Sequence, residues 1–193
     1  MKKIGIDLDD TALDLIGALV LFHNAIYGTN LTREDFKSHK FHEIWGGTGE
    51  EAAKKVDYFY QTKYFDEMQP IPGAVEAIDL LAQGTNLEAI TARPIAIREK
   101  TERQVRTHFG NNFSEIFYSS NYFTKVQNDG TKLEICLRRG VSVMIEDVLE
   151  YAMQFANTNI KVLLFGNQPW NQNGYLPSNI IRVKNWKEAR EAA

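Results

Sequence analysis

Residues 3–11 read Lys-Ile-Gly-Ile-Asp-Leu-Asp-Asp-Thr and carry the clearest indication of the fold. A short apolar run rich in β-branched residues indicates a buried strand, and three acids follow where that strand ends. In an open α/β sheet, ligands bind beyond the carboxyl ends of the strands. Asp7 and Asp9 are two residues apart and point the same way from an extended backbone, whereas Asp10 points away. The stretch therefore predicts two convergent carboxylates, whose repulsion a divalent cation usually relieves.

The composition bounds the class of protein. The chain has 193 residues, which is about one domain with a small insertion. Apolar residues make up 44% and charged residues 24%, and a net charge of -3 gives no broad basic surface for a nucleic-acid polymer. The single cysteine, Cys136, is expected to be a buried apolar side chain. No run approaches the roughly 18 apolar residues of a membrane span, and the first strand leaves no room for a signal peptide. We expect a soluble cytoplasmic protein, monomeric or homodimeric.

Apolar runs alternate with helical patterns along most of the chain. Strands are predicted at 4–8, 87–90, 141–145 and 161–165, with further short strands at 116–119 and 180–183. Helices are predicted at 75–83, 97–109, 132–139, 149–157 and 186–192. This alternation is typical of βαβ units and predicts an α/β protein with a parallel sheet.

Residues 14–70 interrupt the alternation. Two helical patterns, at 14–27 and 50–64, enclose an irregular segment that is rich in aromatic residues. We interpret 14–70 as a small helical cap inserted into a core formed by 1–13 and 71–193. Phe41, His42 and Trp45 are the leading candidates for substrate contacts because their segment is irregular and flanked by glycine.

Polar residues also follow the other predicted strands. The second strand leads into Thr-Ala-Arg-Pro at 91–94, and the third leads into Glu146 and Asp147. Lys132 opens the helix that precedes the third strand. Because the carboxyl ends of parallel strands meet at one edge of a sheet, we expect these groups to gather beside the opening acids.

Together these residues fit one reaction. Asp7 would attack a phosphorus atom and form an aspartyl-phosphate, while Asp9 would protonate the leaving oxygen and later deprotonate a water. Thr91 would donate to a phosphoryl oxygen, and Lys132 would neutralise charge on that group and on Asp7. Mg²⁺ would join Asp7, one acid of the 146–147 pair and the phosphate, since it prefers hard oxygen ligands.

The four motifs, in this order, resemble those of the haloacid dehalogenase superfamily of phosphohydrolases. The resemblance covers almost the whole chain and implies a Rossmann-like three-layer sandwich with a helical C1-type cap after the first strand. Residues 91–94, 145–147 and 169–171 are similar to the cytosolic 5′(3′)-deoxyribonucleotidase-like branch, which implies hydrolysis of (deoxy)nucleoside monophosphates. The sequence departs from the family at Asp10, where glycine is more usual, and at Glu146, where aspartate is more usual.

The resemblance also implies a ligand set for Mg²⁺. It assigns the main-chain carbonyl of Asp9 to the metal and leaves the side chain free for proton transfer. It makes Glu146 a direct ligand, with Asp147 behind it or bound through water.

Several positions stay open between two roles. Asp10 and Thr11 suit helix capping or phosphate contacts, and Arg93 suits either a phosphate contact or a surface salt bridge. Trp170 is expected to be structural. The predicted site is therefore Asp7, Asp9, Thr91 and Lys132 for catalysis, Asp7, Asp9, Glu146 and Asp147 for metal binding, and Asp10, Phe41, His42, Trp45, Ala92 and Arg93 for substrate binding.

Other functions are compatible with the same scaffold. One is a phosphatase of sugar phosphates or other small metabolites, a phosphotransferase or a dehalogenase, although Asp9 argues against a dehalogenase. Another is a non-enzymatic phospho-aspartate signalling domain. In such a domain an acid pair ends the first strand and the phosphorylated Asp comes later. Here the order is acids, threonine, lysine and acids, and an insertion is present that a signalling domain would not need.

Overall fold

The computed structural model describes residues 1–120, 129–172 and 174–193. These residues form a parallel sheet with the strand order β3-β2-β1-β4-β5-β6. Such an order, which reverses beside β1, is that of Rossmann-like sheets, and the predicted α/β class is confirmed. The strands are β1 Lys3–Ile6, β2 Asn86–Thr91, β3 Phe113–Tyr118, β4 Val143–Glu146, β5 Lys161–Phe165 and β6 Ile180–Val183.

Helices cover both faces of this sheet and complete the three layers. One face packs against α5, α6 and α9, and the other packs against α7 and α8. None of the helices in the described ranges is both long and apolar enough to cross a bilayer. The helices are α1 Leu15–Tyr27, α2 His42–Trp45, α3 Gly49–Phe59, α4 Lys63–Asp66, α5 Ala74–Ala82, α6 Arg98–Phe109, α7 Lys132–Arg139, α8 Leu149–Ala152 and α9 Trp186–Ala192.

The central strand β1 alternates between the two faces, as a strand buried on both sides must. Ile4 and Ile6 are fully buried on the face of α5, and Gly5 lies between them on the other face. A Cβ atom at Gly5 would lie 2.9 Å from both the Ile90 and the Met144 side chains. The neighbouring strands therefore approach closely because this position carries no side chain.

Two predicted helices end earlier than their apolar patterns indicate. The pattern at 50–64 divides into α3 and α4, because the Thr62 hydroxyl donates to the Phe59 carbonyl at 2.8 Å and ends the first helix. The pattern at 149–157 gives α8 and then a short 3₁₀ turn, Met153–Phe155. Side chains of Thr158 and Asn179 donate to the Phe155 carbonyl, which the helix would otherwise use.

Residues 14–70 contain α1 to α4 and a cluster of aromatic rings. The Phe22 ring packs edge-on against Phe59, with centroids 5.4 Å apart. The chain enters and leaves this segment side by side, since Leu13 and Pro70 form an isolated antiparallel bridge. The predicted boundaries lie at this crossing, and the division into core and cap stays a prediction.

One face of α6 contacts the end of residues 14–70, which we call the inserted segment or the insertion. Three polar side chains, each four residues apart, bond to main-chain carbonyl groups of that segment. The pairs are Lys100 with Tyr60 at 2.8 Å, Gln104 with Phe65 at 2.6 Å, and His108 with Met68 at 2.9 Å. These bonds fix the region around α4 directly against the sheet domain.

Candidate active site

The ends of three neighbouring strands bring the predicted polar residues together. Asp7 directly follows β1, and its amide nitrogen donates to the Ile145 carbonyl of β4 at 2.9 Å. Thr91 ends β2 and Glu146 ends β4. The point lies where the strand order reverses, which is where open α/β sheets leave a crevice for ligands.

Lys132 bridges two of these acids. It is the first residue of α7, which begins with a capping box between Thr131 and Glu134. Its Nζ lies 2.8 Å from Oδ1 of Asp7 and 2.6 Å from Oε2 of Glu146. Burial disfavours a charged lysine, but the two carboxylates outweigh it and raise the pKa of Lys132. The lysine therefore stays protonated.

Three buried carboxylates share the single ammonium group of Lys132. Asp7, Glu146 and Asp147 each offer an oxygen within 4.8 Å of the others, and all three are buried. Burial raises the pKa of Asp7 to about 7, against the attraction of Lys132. Burial and then the charge of Glu146 raise the pKa of Asp147. Three clustered hard oxygens with one ammonium group suit a divalent cation such as Mg²⁺.

The two acids after β4 face different partners. Oε2 of Glu146 accepts from Lys132, and Oε1 accepts from the Val148 amide at 3.0 Å, so that this side chain is fully buried. Asp147 borders the open cavity instead. The resemblance implies Glu146 as the direct ligand, with Asp147 behind it or bound through water, and this assignment stays a prediction. The observed packing therefore favours Asp147 as the acid that meets a ligand.

Trp170 fixes the orientation of Asp147. Its indole Nε1 donates to Oδ2 of Asp147 at 3.0 Å, and Asn171 donates to the Asp147 carbonyl at 3.1 Å. Both residues belong to the 3₁₀ turn Pro169–Asn171. The sequence predicts a structural role for Trp170, and it carries no signal for this polar contact with a candidate metal ligand.

Arg93 holds Asp9 through two nitrogens. Nε lies 2.9 Å from Oδ2 and NH2 lies 2.6 Å from Oδ1 of Asp9. The Arg93 side chain is 0% exposed, whereas that of Asp9 is 20% exposed. The guanidinium forms neither the surface salt bridge nor an open phosphate site that the sequence allowed. Its main chain borders the cavity, and substrate binding by Arg93 stays a prediction.

The side chains of Asp10 and Thr91 accept hydrogen bonds from nearby backbone amides. Asp10 has a φ of 53°, an uncommon conformation outside glycine, and its Oδ1 accepts from the Ile16 amide at 3.0 Å. Burial raises the pKa of Asp10 well above its ordinary value. Thr91 Oγ1 accepts from the Arg93 amide at 3.2 Å. Asp10 thus stabilises the start of α1 while also bordering the cavity.

A cavity of about 340 Å³ lies between these residues and the helical insertion. Of the predicted substrate contacts in the insertion, Phe41 and His42 line it. Trp45 lies behind them, with its ring stacked on Phe41 at 4.9 Å and on His23 at 5.0 Å. Ala92 also lines the cavity, as do residues that the sequence reasoning missed, namely His39, Val56, Tyr60 and Tyr151.

Comparison with solved structures identifies the fold of this chain. The fold matches a haloacid dehalogenase-like family hydrolase from Streptococcus pneumoniae with a TM-score of 0.67 and 15% identity, over 100% of this chain and 98% of that one. A Clostridium acetobutylicum protein described as "a predicted phosphatase" gives 0.67 and 16%, over 99% and 97%. The Bacillus subtilis protein described as "putative HAD-hydrolase YfnB", solved with magnesium bound, gives 0.61 and 16%, over 100% and 98%. The chain therefore has the haloacid dehalogenase fold.

Sequence comparison identifies the family within this class. Residues 1–193 match the model of the family described as 5′ nucleotidase, deoxy (Pyrimidine), cytosolic type C protein, and the chain belongs to that family. The Bacillus subtilis protein named "Putative nucleotidase YqfW" is 29% identical over 98% of this chain and 92% of its own. A Bacillus cereus nucleotidase-like relative is 32% identical over 52% of this chain and 56% of its own. The chain is thus an enzyme of the phosphatase and nucleotidase class, which disfavours the signalling-domain alternative.

Proposed function

We propose that this enzyme hydrolyses nucleoside 5′-monophosphates in a Mg²⁺-dependent reaction through an aspartyl-phosphate on Asp7. One observation carries the proposal: Asp7 borders the cavity while Lys132 holds its carboxylate from 2.8 Å. A nucleophile needs this combination of access and charge stabilisation when it attacks an anionic phosphate.

The chemistry divides between Asp7 and Asp9. A carboxylate oxygen of Asp7 attacks phosphorus, and the bond from phosphorus to the leaving oxygen breaks with its electron pair on that oxygen. Protonated Asp9 gives this oxygen its proton and releases a nucleoside. Asp9 then takes a proton from water, the resulting hydroxide oxygen attacks phosphorus, and the bond from phosphorus to Asp7 breaks. Inorganic phosphate leaves, Asp7 is again a carboxylate and Asp9 is again protonated.

The charge of the buried acids supports a metal at this site. Asp7 and Asp147 would hold Mg²⁺ from the cavity, with Glu146 behind them on Lys132 and the Asp9 main-chain carbonyl as the further ligand that the resemblance implies. When bound, the cation lowers the repulsion between the anionic nucleophile and the anionic substrate. Its removal would leave the three carboxylates with one ammonium partner.

The phosphate contacts come from the carboxyl end of β2 and from the first residue of α7. The Thr91 hydroxyl already accepts a bond from the Arg93 amide, which leaves its own hydrogen to donate to a phosphoryl oxygen. The Lys132 ammonium is protonated and lies against the nucleophile. Ala92 and Arg93 border the same space, and Arg93 does so through its main chain because its side chain is 0% exposed. We assign these groups to the phosphoryl oxygens.

The inserted segment supports a nucleobase as the other part of the substrate. Phe41 presents an aromatic ring, and Val56 adds an apolar surface. His42 also lines the cavity, and its buried Nδ1 has no hydrogen-bond partner among the described residues. A sugar phosphate carries hydroxyl groups around its whole ring, and this wall would leave them poorly paired. Asp10 stays a candidate substrate contact at the opposite wall.

A substrate panel tests the proposal. Purified enzyme is incubated with nucleoside 5′-monophosphates and sugar phosphates, with Mg²⁺ or with a chelator, and released phosphate is measured. We expect turnover of nucleotides that the chelator and Asp7→Asn abolish. Asp79→Asn removes an exposed acid from α5 and serves as the matched control with wild-type activity. Turnover of sugar phosphates alone would support the metabolite phosphatase instead, and full activity in Asp7→Asn would contradict the mechanism.

The expected cytoplasmic location and the choice between monomer and homodimer stay predictions. Size-exclusion chromatography with light scattering would determine the oligomeric state directly.

A further inference from the structure

Arg93 and Asp9 form a two-point ion pair in which only the Asp9 side chain is exposed to the cavity. Two guanidinium nitrogens reach both oxygens of the Asp9 carboxylate, at 2.6 to 3.1 Å. The Arg93 side chain has no exposed surface, whereas Asp9 retains 20% and borders the cavity. Arg93 therefore contacts the acid from behind and presents only main chain to a substrate.

Arg93 is itself held from the inserted segment. Its NH1 donates to Oε1 of Gln104 on α6 at 2.9 Å, and Nε2 of Gln104 donates to the Phe65 carbonyl at 2.6 Å. The guanidinium also lies 4.8 Å from the centre of the Phe65 ring. Phe65 belongs to α4, so a continuous set of contacts leads from the insertion to Asp9.

We infer that Arg93 is a positioning residue that fixes the carboxylate of Asp9 for proton transfer, and that Gln104 makes this position depend on the docking of α4. The inference rests on the proposed function, in which Asp9 is the acid and base. A two-point contact fixes the plane of a carboxylate, whereas a free aspartate rotates about two bonds. A misplacement of about 1 Å in a reacting group can cost about 100-fold in rate.

This role predicts a particular kinetic signature. Because the guanidinium does not reach the cavity, its loss should lower kcat and leave KM nearly unchanged. The loss should be larger for a nucleotide, whose leaving oxygen needs a proton, than for p-nitrophenyl phosphate, whose leaving group departs without one. A phosphate-binding arginine would instead raise KM for both substrates.

The test compares Arg93→Gln, Arg93→Lys and Gln104→Met with wild-type enzyme on both substrates. We expect Arg93→Gln to lower kcat on the nucleotide by about 10- to 100-fold, with KM within about twofold and a smaller loss on p-nitrophenyl phosphate. Arg93→Lys should restore part of the activity because it keeps the charge. Gln104→Met should lower kcat in the same sense, which keeps the inference testable if the arginine variants fold poorly.

Lys100→Met is the matched control. It removes two other contacts between α6 and the insertion, to the Tyr60 carbonyl and to Asp66 of α4, and leaves both Arg93 and the bond from Gln104 to Phe65 in place. We expect a lower thermal midpoint and an unchanged kcat. A second control combines Arg93→Gln with Asp9→Asn, and the double variant should be no slower than Asp9→Asn alone, because both changes act through one group.

Distinct results overturn the inference. A higher KM with unchanged kcat would make Arg93 a phosphate ligand, and equal losses in Lys100→Met and Gln104→Met would indicate general loosening of the insertion. Wild-type kinetics in every variant, with activity still dependent on Asp7, would reject the positioning role alone. An inactive wild-type enzyme on all phosphomonoesters would reject the proposed function and the inference with it.

Discussion

At the scale of single residues, Glu146 and Asp147 show how neighbouring groups decide which of two adjacent acids borders the cavity. Glu146 and Asp147 are adjacent in sequence, but Lys132 and the Val148 amide occupy both oxygens of Glu146. Asp147 is left at the cavity, where Trp170 donates to one of its oxygens. The departure of Glu146 from the family's usual aspartate therefore places the longer side chain on the lysine.

Trp170→Phe tests the importance of that indole bond. The ring is kept and the donor is lost, so Asp147 should be less well oriented for the metal. We expect the Mg²⁺ concentration for half-maximal activity to rise about 10-fold, with similar kcat at saturating Mg²⁺. The measurement is a Mg²⁺ titration of phosphate release.

Trp45→Phe provides the comparison for this titration. It makes the same chemical change at an indole nitrogen that has no hydrogen-bond partner among the described residues. Its Mg²⁺ dependence should match that of the wild-type enzyme. Equal Mg²⁺ titrations for Trp170→Phe and wild-type would show that the indole bond does not orient a metal ligand.

At the scale of elements, α1 carries a histidine whose burial makes the stability of the folded state depend on pH. His23 is 3% exposed and stacks on Trp45, and the Lys55 ammonium lies 3.4 Å from its Nε2. Burial first, and then the charge of Lys55, lower the pKa of His23 from 6.5 to about 4. The folded protein therefore keeps this imidazole neutral.

This pKa predicts acid sensitivity of the folded state. An unfolded chain takes up a proton at His23 below about pH 6.5, whereas the folded chain does so only near pH 4. The contribution to stability is therefore complete above pH 6.5 and is lost as the pH falls from 6.5 to 4. His23→Phe should show a weaker decrease of the unfolding free energy over this range, measured by urea denaturation. Parallel curves for the two proteins would contradict the assignment.

The helix α6 shows what an element does beyond its own packing. Its residues Lys100, Gln104 and His108 share one face and bind the insertion through main-chain carbonyls. Their spacing of four was present in the sequence, but carbonyl partners carry no sequence signal. The same face reaches Asp9 through Arg93.

At the scale of the whole molecule, the sheet concentrates negative charge at its centre. Burial raises the pKa of Asp7 to about 7 and raises that of Asp147. Without a cation, the folded protein holds protons that the unfolded chain releases. This contribution to stability is present at low pH and decreases as the pH rises from about 4 towards 7.

Mg²⁺ should therefore stabilise the protein more at high pH than at low pH. The cation binds deprotonated carboxylates of the folded state and has little affinity for the unfolded chain. We expect the rise of the thermal midpoint on adding Mg²⁺ to be larger at pH 8 than at pH 5. Asp147→Asn should reduce this rise and Asp79→Asn should keep it. A rise of equal size at both pH values would argue against binding by these acids.

The sequence by itself determined the sheet and the chemical character of its edge. Apolar runs that alternate with helical patterns predict βαβ units. The opening acids follow the first strand, Thr91 ends the second and Lys132 begins a helix. Such information is local, because the repeat of apolar residues that identifies a strand or a helix lies within a short stretch of sequence. The same local patterns overextended the helices at 50–64 and 149–157, because hydroxyl and amide side chains off the apolar face donate to the carbonyl groups at which the helices end.

Only the tertiary structure decided which groups face the cavity and which face each other. Whether Arg93 meets a phosphate or Asp9 depends on Gln104 and Phe65, which lie 11 and 28 positions away in sequence but adjoin it in space. The choice between Glu146 and Asp147 depends likewise on Lys132 and Trp170. Hydrogen bonds between distant segments form only after the chain has folded, so residue type and spacing do not specify them.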